Sequence, residues 1–242
     1  MKILTWNIWY KEDPKNVFEL LKNTEWDVCC LQEVMKGFHS EVDDVAEYLK
    51  ESLSVEGHFA TAQRRSETDS SQGNLILSRL PITDTFSYFI QDQSEDPEPS
   101  FSDEGRVVTG VEFDNSLKVL TTHMSYTPSF AETDKKNAES ERLVEYLNGI
   151  EQPFVFCGDL NAVPTSNLIQ NLSQSYKNLS PDFTEPTWTT KPFSHEGFEV
   201  DTLSYRLDYV FGSKDVELID SKITQTDYSD HLPILTEIKP TS

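Results

Sequence analysis

Phe154-Val155-Phe156-Cys157-Gly158-Asp159-Leu160-Asn161 is the stretch on which the reading of this chain turns. Four apolar residues run straight into an acid and a carboxamide, as in a short buried strand that stops at the rim of a sheet. At such a rim Asp159 can take a proton from water, and Asn161 can hydrogen-bond an anionic oxygen without adding charge. Taken alone, Gly-Asp-Leu-Asn is also ordinary turn chemistry. Its weight comes from recurrence. Asn7 closes the first apolar run, Glu33 the second (Cys29-Cys30-Leu31-Gln32-Glu33) and His123 the run Lys118–Thr122. Asp208 lies within Tyr205–Phe211, and Asp230 and His231 precede the last run, Leu232–Ile238. Singly, each reads as a cap or a solvated side chain; together they call for a shared explanation.

Between these points the pattern is strand-rich. Strand-like segments cover Lys2–Ile8, Val28–Leu31, Phe59–Ala62, Asn74–Leu77, Ile82–Tyr88, Val107–Phe113, Leu117–Thr122, Phe154–Cys157, Arg206–Phe211, Val216–Gln225 and Leu232–Ile238, with a hairpin turn at Asp114-Asn115-Ser116. Helices are expected after Asp13-Pro14, after a cap at Ser40 with Val42, Val45, Ala46, Leu49 and Leu53 on one face, and over Asp134–Leu147. Polar loops are expected at Gln63–Gly73, Gln91–Gly105 and Glu185–Ser204, where a substrate-facing role and plain surface weigh equally. No linker, repeat or composition shift divides residues 1–242, so one catalytic domain is expected. About a dozen strands with three helices point to two packed sheets with helices outside them.

The composition narrows the function. With 42 Asp+Glu against 20 Lys+Arg, a formal net charge of −22, the surface repels long nucleic acid unless a local basic groove or bound cations offset it. No run of about 18 apolar residues is present, so no stable membrane insertion is expected. The chain enters a strand at Lys2 without a signal-like segment, and Cys29, Cys30 and Cys157 sit in apolar runs as reduced thiols, which fits a cytoplasmic protein. Serine elbow, phosphate-cradling glycine loop and dinucleotide fingerprint are all missing from the sequence. The strand-end residues suit metal-assisted phosphoester hydrolysis instead. Mg²⁺ prefers oxygen ligands and takes one or two carboxylates, a role for Glu33 with Asn7 and Asp230; Asp159 suits a base, and Asn7, Asn161, His123 and His231 suit donors around a phosphate.

The ordered set Thr5-Trp6-Asn7-Ile8, Leu31-Gln32-Glu33-Val34, Gly73-Asn74-Leu75-Ile76-Leu77-Ser78-Arg79, Thr122-His123, Gly158-Asp159-Leu160-Asn161, Arg206-Leu207-Asp208-Tyr209 and Ser229-Asp230-His231-Leu232-Pro233 resembles the endonuclease/exonuclease/phosphatase superfamily over essentially the whole chain. The resemblance implies an α/β fold, a four-layer α/β/β/α sandwich of two packed mixed sheets flanked by helices. It implies metal binding by Glu33, with Asn7 and Asp230 beside it, and Mg²⁺ as cofactor with Mn²⁺ as a substitute. Asp159 would activate water, Asn161 orient water and phosphate, His123 and His231 hold phosphoryl oxygens, Asp208 orient a histidine, and Arg206 contact phosphate. Trp9 stands where abasic-site nucleases of the family carry an acid, and His123 where they carry Tyr. This chain is therefore more similar to the branch of pancreatic deoxyribonuclease, neutral sphingomyelinases, deadenylases, inositol-polyphosphate phosphatases and tyrosyl-DNA phosphodiesterase 2. The expectation is a monomeric phosphodiesterase, with DNA or RNA ends or adducts narrowly favoured. A phosphatase or phospholipase acting on small metabolites or lipid headgroups, and a non-catalytic module, are the alternatives.

Overall fold

A computed structural model describes residues 1–100, 103–114 and 116–240. Asn115, the centre of the expected hairpin turn, lies outside the described residues, as do Phe101 and Ser102 of the acidic loop. The first sheet contains β1 (Lys2–Asn7), β2 (Val28–Lys36), β3 (Glu56–Arg65) and β4 (Ser70–Ser78), with β13 (Val216–Ile223) and β14 (Ile234–Pro240), in the order β13-β14-β1-β2-β4-β3. The second contains β5 (Asp84–Gln91), β6 (Arg106–Glu112), β7 (Lys118–His123), β8 (Phe154–Asp159), β9 (Lys177–Asn178) and β12 (Asp208–Gly212), in the order β5-β6-β7-β8-β12-β9. β10 (Phe193–His195) and β11 (Phe198–Val200) form a separate hairpin. Each large sheet is mixed, with one parallel pair (β1 with β2, β7 with β8) joined by a crossover helix.

Side-chain alternation explains the layers. Along β1 and β2, Ile3, Val28 and Cys30 face the second sheet while Leu4, Trp6 and Cys29 face α1 (Pro14–Asn23) and α2 (Val45–Leu53). Along β8, Val155 and Cys157 face the first sheet while Phe154 and Phe156 face α3 (Asp134–Asn148) and α4 (Asn167–Ser175). The stack is α/β/β/α, and strands covered on both sides read as continuous apolar runs.

Three local expectations need correction. α2 starts at Val45 with Asp44 as its cap, the carboxylate accepting from Glu47 N at 3.0 Å; Ser40 does not cap it. The Lys36–Asp44 bridge and the bond from Gly37 N to Asp43 O hold residues 37–44 as a turn instead. The polar stretch 63–73 is mostly ladder, because β3 runs to Arg65 and β4 begins at Ser70, with backbone pairing that needs no apolar side chains. α4 lies in a segment rich in Asn, Gln and Ser, but Ser166 caps it, and Leu168, Ile169 and Leu172 bury one face.

The topology fixes where function sits. The carboxyl ends of β1, β7 and β8 carry Asn7, His123 and Asp159, and the amino ends of the antiparallel β12 and β14 return to the same rim. Asp208 opens β12 in direct register with Asp159, and His231 lies just before β14. Open α/β sheets place ligands at the carboxyl ends of their strands.

Candidate active site

Glu33 reaches this rim through a β-bulge. The β2–β4 register slips between Leu31 and Val34, and Glu33 adopts a left-handed φ of 60°. Such a bulge re-aims one side chain out of the ladder, at a conformational cost that the surrounding sheet absorbs. Gln32 points the other way, its Nε2 donating at 2.8 Å to Thr121 Oγ1 of the second sheet. At the end of β8, Gly158 has φ 139°, and a Cβ there would stand 2.0 Å from Thr122 O. Only glycine lets β8 approach β7 closely enough to present Asp159 beside His123.

Asp159 is the hub. One carboxylate oxygen accepts from Asn161 N at 2.8 Å and the other from Asn7 Nδ2 at 3.0 Å. That second oxygen is 3.5 Å from both His123 Nε2 and His231 Nε2. His231 Nδ1 lies 2.9 Å from Asp208 Oδ2, and the backbone amides of Leu207 and Asp208 both donate to the buried Thr187 hydroxyl. The Ser229 hydroxyl anchors the preceding turn by donating to Asn7 O and accepting from His231 N.

Electrostatics separates the two histidines. Burial opposes charge on His231, but Asp208, Asp159 and Asp230 outweigh it and raise its pKa to about 10. Burial and the neighbouring Arg106, His231 and Lys136 cations all push His123 well below the ordinary value, so it is neutral. Asn161 Nδ2 donates to Met124 O at 2.9 Å and faces His123 Nε2 at 3.0 Å; flipping the amide would set oxygen against oxygen, so His123 Nε2 is the acceptor. Burial raises Asp159 to about 7, with His231 pulling it down and Asp208 pushing it up. Glu33 is also raised, by burial and by the charge of Asp230.

The groups expected from sequence divide into three sets. Glu33, His123, Asp159, Asn161, Asp230 and His231 line a single cleft of about 370 Å³. Asn7 and Asp208 stand behind that lining. Asn7 is fully buried, its Nδ2 clasps Glu33 and Asp159, and its oxygen is held by Trp9 N at 3.0 Å. Asn7 thus presents neither a ligand oxygen nor a phosphate donor to the cleft; it positions the two carboxylates. Arg206 is in neither group. Its guanidinium donates to the carbonyls of Asp208, Asp182, Glu185 and Pro181, so it braces the loop before β12 and is not part of the cleft lining. Of the aromatic residues of the 185–204 stretch, Phe198 packs on Phe130 and Tyr205, while Trp188 and Phe193 join Tyr126 in one wall of the cleft.

Other residues reached the cleft without any strand-end signal. Arg106, at the start of β6, lines it and is held by Glu104 Oε2 at 3.2 Å and Ser125 Oγ at 3.3 Å. Lys11 and Lys191, also in the lining, stand over Trp9, 5.7 and 5.3 Å from its ring centre. Lys136, from α3, is buried beneath the cleft and donates to Ser125 O at 2.5 Å, Asn161 O at 2.6 Å and Leu160 O at 3.2 Å. It ties together the loops that follow β7 and β8.

A divalent cation fits this donor set. Glu33 and Asp230 are carboxylates on the cleft wall whose mutual repulsion already shows in the raised Glu33 pKa, and oxygen-only ligation suits a hard ion. Asp159, Asp208 and His231 also offer ligand atoms within 4.8 Å of one another. There, however, His231 Nδ1 is engaged by Asp208 and the ring is held protonated, so a cation would have to displace that proton. Glu33 with Asp230 is the better-suited pair.

Comparisons with known proteins converge. Residues 4–231 match the model of the Endonuclease/Exonuclease/phosphatase family. No curated protein matches in sequence. Among solved structures, an endonuclease/exonuclease/phosphatase from Beutenbergia cavernae DSM 12333 has a TM-score of 0.77 at 20% identity, over 100% of this chain and 72% of that one. The human Nocturnin catalytic domain with bound sulfate has a TM-score of 0.69 at 18% identity, covering 100% and 94%. The mannosyl-6-phosphatase Bt3783 of Bacteroides thetaiotaomicron VPI-5482 has a TM-score of 0.69 at 14% identity, covering 99% of each chain.

Proposed function

The chain belongs to the endonuclease/exonuclease/phosphatase family, whose members are generally divalent-metal-dependent hydrolases of phosphoesters, and on that premise we propose that it hydrolyses a phosphodiester with Mg²⁺. The observation that carries the reading is the pairing at the cleft floor. Asp159, raised toward neutrality, stands 3.5 Å from His231 Nε2, and Asp208 keeps that imidazole charged from 2.9 Å behind. A base and a fixed cation thus face one phosphate-sized space.

Glu33 and Asp230 would hold Mg²⁺, which when bound supplies charge neutralisation at the phosphate. Asp159 takes the proton of the attacking water. No hydrogen bond among the described residues ends on the amide oxygen of Asn161, which leaves that oxygen to accept from the same water and fix its lone pair. As the water oxygen bonds to phosphorus, the bond to the leaving oxygen breaks with its electron pair, and the departing alkoxide takes a proton from solvent water to become the alcohol. His231 and Arg106 stand ready to offset negative charge on the phosphoryl oxygens. His123, neutral, orients Asn161 in place of clamping phosphate.

Charge limits the substrate. The cleft lining carries the carboxylates Glu33, Glu104, Asp159 and Asp230 beside the cations Lys11, Arg106, Lys191 and His231, a mixed rather than a basic surface. A strand end or a compact phosphodiester suits this cleft, and a long duplex does not. The test is hydrolysis of bis(p-nitrophenyl) phosphate with Mg²⁺ or Mn²⁺, then with chelator. Turnover that chelation abolishes and added metal restores supports the reading; turnover indifferent to chelator, or none with any divalent ion, rejects it.

A further inference from the structure

A second hollow of about 590 Å³ opens beside the reaction cleft and shares Tyr10, Gln72 and His195 with its lining. We propose that it binds a flat, uncharged aryl group linked to the scissile phosphate, an assignment that rests on phosphoester hydrolysis in the neighbouring cleft. The two spaces adjoin along these three residues, so a group bonded to a phosphate in the first lies next to the second.

The walls select for an aryl group. Met35, only 5% exposed, and Phe38, 47% exposed, contribute apolar surface. Phe38 and Tyr10 meet edge to face, with ring centres 5.5 Å apart and planes at 68°, so their exposed surfaces form a corner. A flat ring can stack on one face of that corner while its edge meets the other. Large exposed hydrophobic side chains are few among the described residues, and Phe38 is the one that stands on this hollow.

Charge argues against a second phosphate here. Arg65 is the one lysine or arginine in the lining, and it is gripped by Glu98 at 3.3 Å and by the buried Glu104. Glu196 adds a further carboxylate to the rim. Within this lining the carboxylates Glu98 and Glu196 outnumber the one arginine, which disfavours an anionic group and leaves a neutral ring unaffected.

The platform is also built rigidly and in register with the chemistry. Tyr10 N donates to Glu33 Oε2 at 2.9 Å, which ties the aromatic wall to the carboxylate suited to the metal. Phe38 follows Gly37, whose φ of 70° and whose bond to Asp43 O at 2.8 Å hold a tight turn; a Cβ at Gly37 would fall 2.6 Å from Asp69 O. A preformed surface of this kind loses little conformational entropy on binding.

Nucleobases and phenolic rings both carry the required group, and three non-hydrolysable probes separate them: methylphosphonate, phenylphosphonate and a thymidine 5′-phosphonate. Titration calorimetry with Mg²⁺ on the full chain should show one or both aryl probes binding at least about tenfold more tightly than methylphosphonate. Phe38→Ala should bring the three within about twofold of each other, with methylphosphonate affinity and thermal stability unchanged, and Phe38→Tyr should keep the preference. A gain for thymidine alone points to nucleic-acid ends, and a gain for phenyl alone to a phenolic ester. Methylphosphonate binding without any aryl gain, or an aryl gain that survives Phe38→Ala, overturns the aryl site and leaves the phosphoester reading intact. Absence of methylphosphonate binding, together with absence of metal-dependent hydrolysis, removes both.

Discussion

Replacing Lys136 with Met removes a buried ammonium group and strands the three carbonyls it serves, Ser125 O, Leu160 O and Asn161 O. Two opposing effects set the magnitude. Burial lowers the Lys136 pKa from 10.5 to about 8, so keeping it charged at neutral pH costs about 3 kcal/mol, which the Met variant recovers. Against that, each buried acceptor left without a donor costs ~1–3 kcal/mol, about 6 kcal/mol for three. The balance is a loss of about 3 kcal/mol, or ~10 °C in melting temperature for a chain of this size. Because two of the three carbonyls belong to Leu160 and Asn161, beside the proposed base, turnover should also fall by about tenfold or more. The pH dependence has a defined sign. Glu139 and Asp159 favour the charge and Arg106 opposes it, but burial dominates. Between about pH 8 and 10.5 the unfolded chain binds the proton and the folded chain does not, so wild type should gain stability relative to the variant as pH rises through that window. Thermal denaturation of both proteins from pH 7 to 10.5, with turnover measured in parallel, is the assay. A Met variant as stable and as active as wild type refutes the reasoning, and a stability difference flat with pH refutes its charged-state half.

Asp159→Asn should lower turnover by at least ~10²-fold while Mn²⁺ affinity stays near wild type, since it removes the base and spares Glu33; surviving turnover reassigns the base. Glu33→Gln should weaken Mn²⁺ binding in calorimetry by more than about tenfold, and unchanged affinity moves the cation elsewhere. Asp208→Asn should lower the His231 pKa by ~1–3 units, because the paired carboxylate that offsets burial is gone. An NMR titration of the imidazole in the metal-free protein reads this directly, and a pKa still near 10 would mean that Asp159 and Asp230 suffice.

What was legible in the chain follows from where the information resides. Strand ends are local: Asn7, His123 and Asp159 each close a strand where an apolar run stops, and burial of both sheet faces kept those runs conspicuous, whereas Glu33 stops its run at a bulge inside β2, which continues to Lys36. Two six-stranded sheets flanked by helices agree with the architecture expected from those runs and from the family resemblance. Direction was not legible. Nothing adjacent in sequence shows that the Asn7 oxygen turns to Trp9 N, or that Arg206 is absorbed by four carbonyls. Arg106 and Lys136 were hidden for a different reason. A basic residue at a strand start or in a helix reads as surface, and only the packing of α3 and β6 beneath the cleft buries these two. The aryl hollow draws on residues from 10 to 196 and has no local signature at all.

The most direct test of the proposed centre is a crystal structure with Mn²⁺ and methylphosphonate bound. The ion should sit on the Glu33 carboxylate, with the phosphonate oxygens within hydrogen-bond reach of His231 and a water between phosphorus and Asp159. An ion held instead by Asp159, Asp208 and His231, or an anion bound outside the cleft, would contradict it.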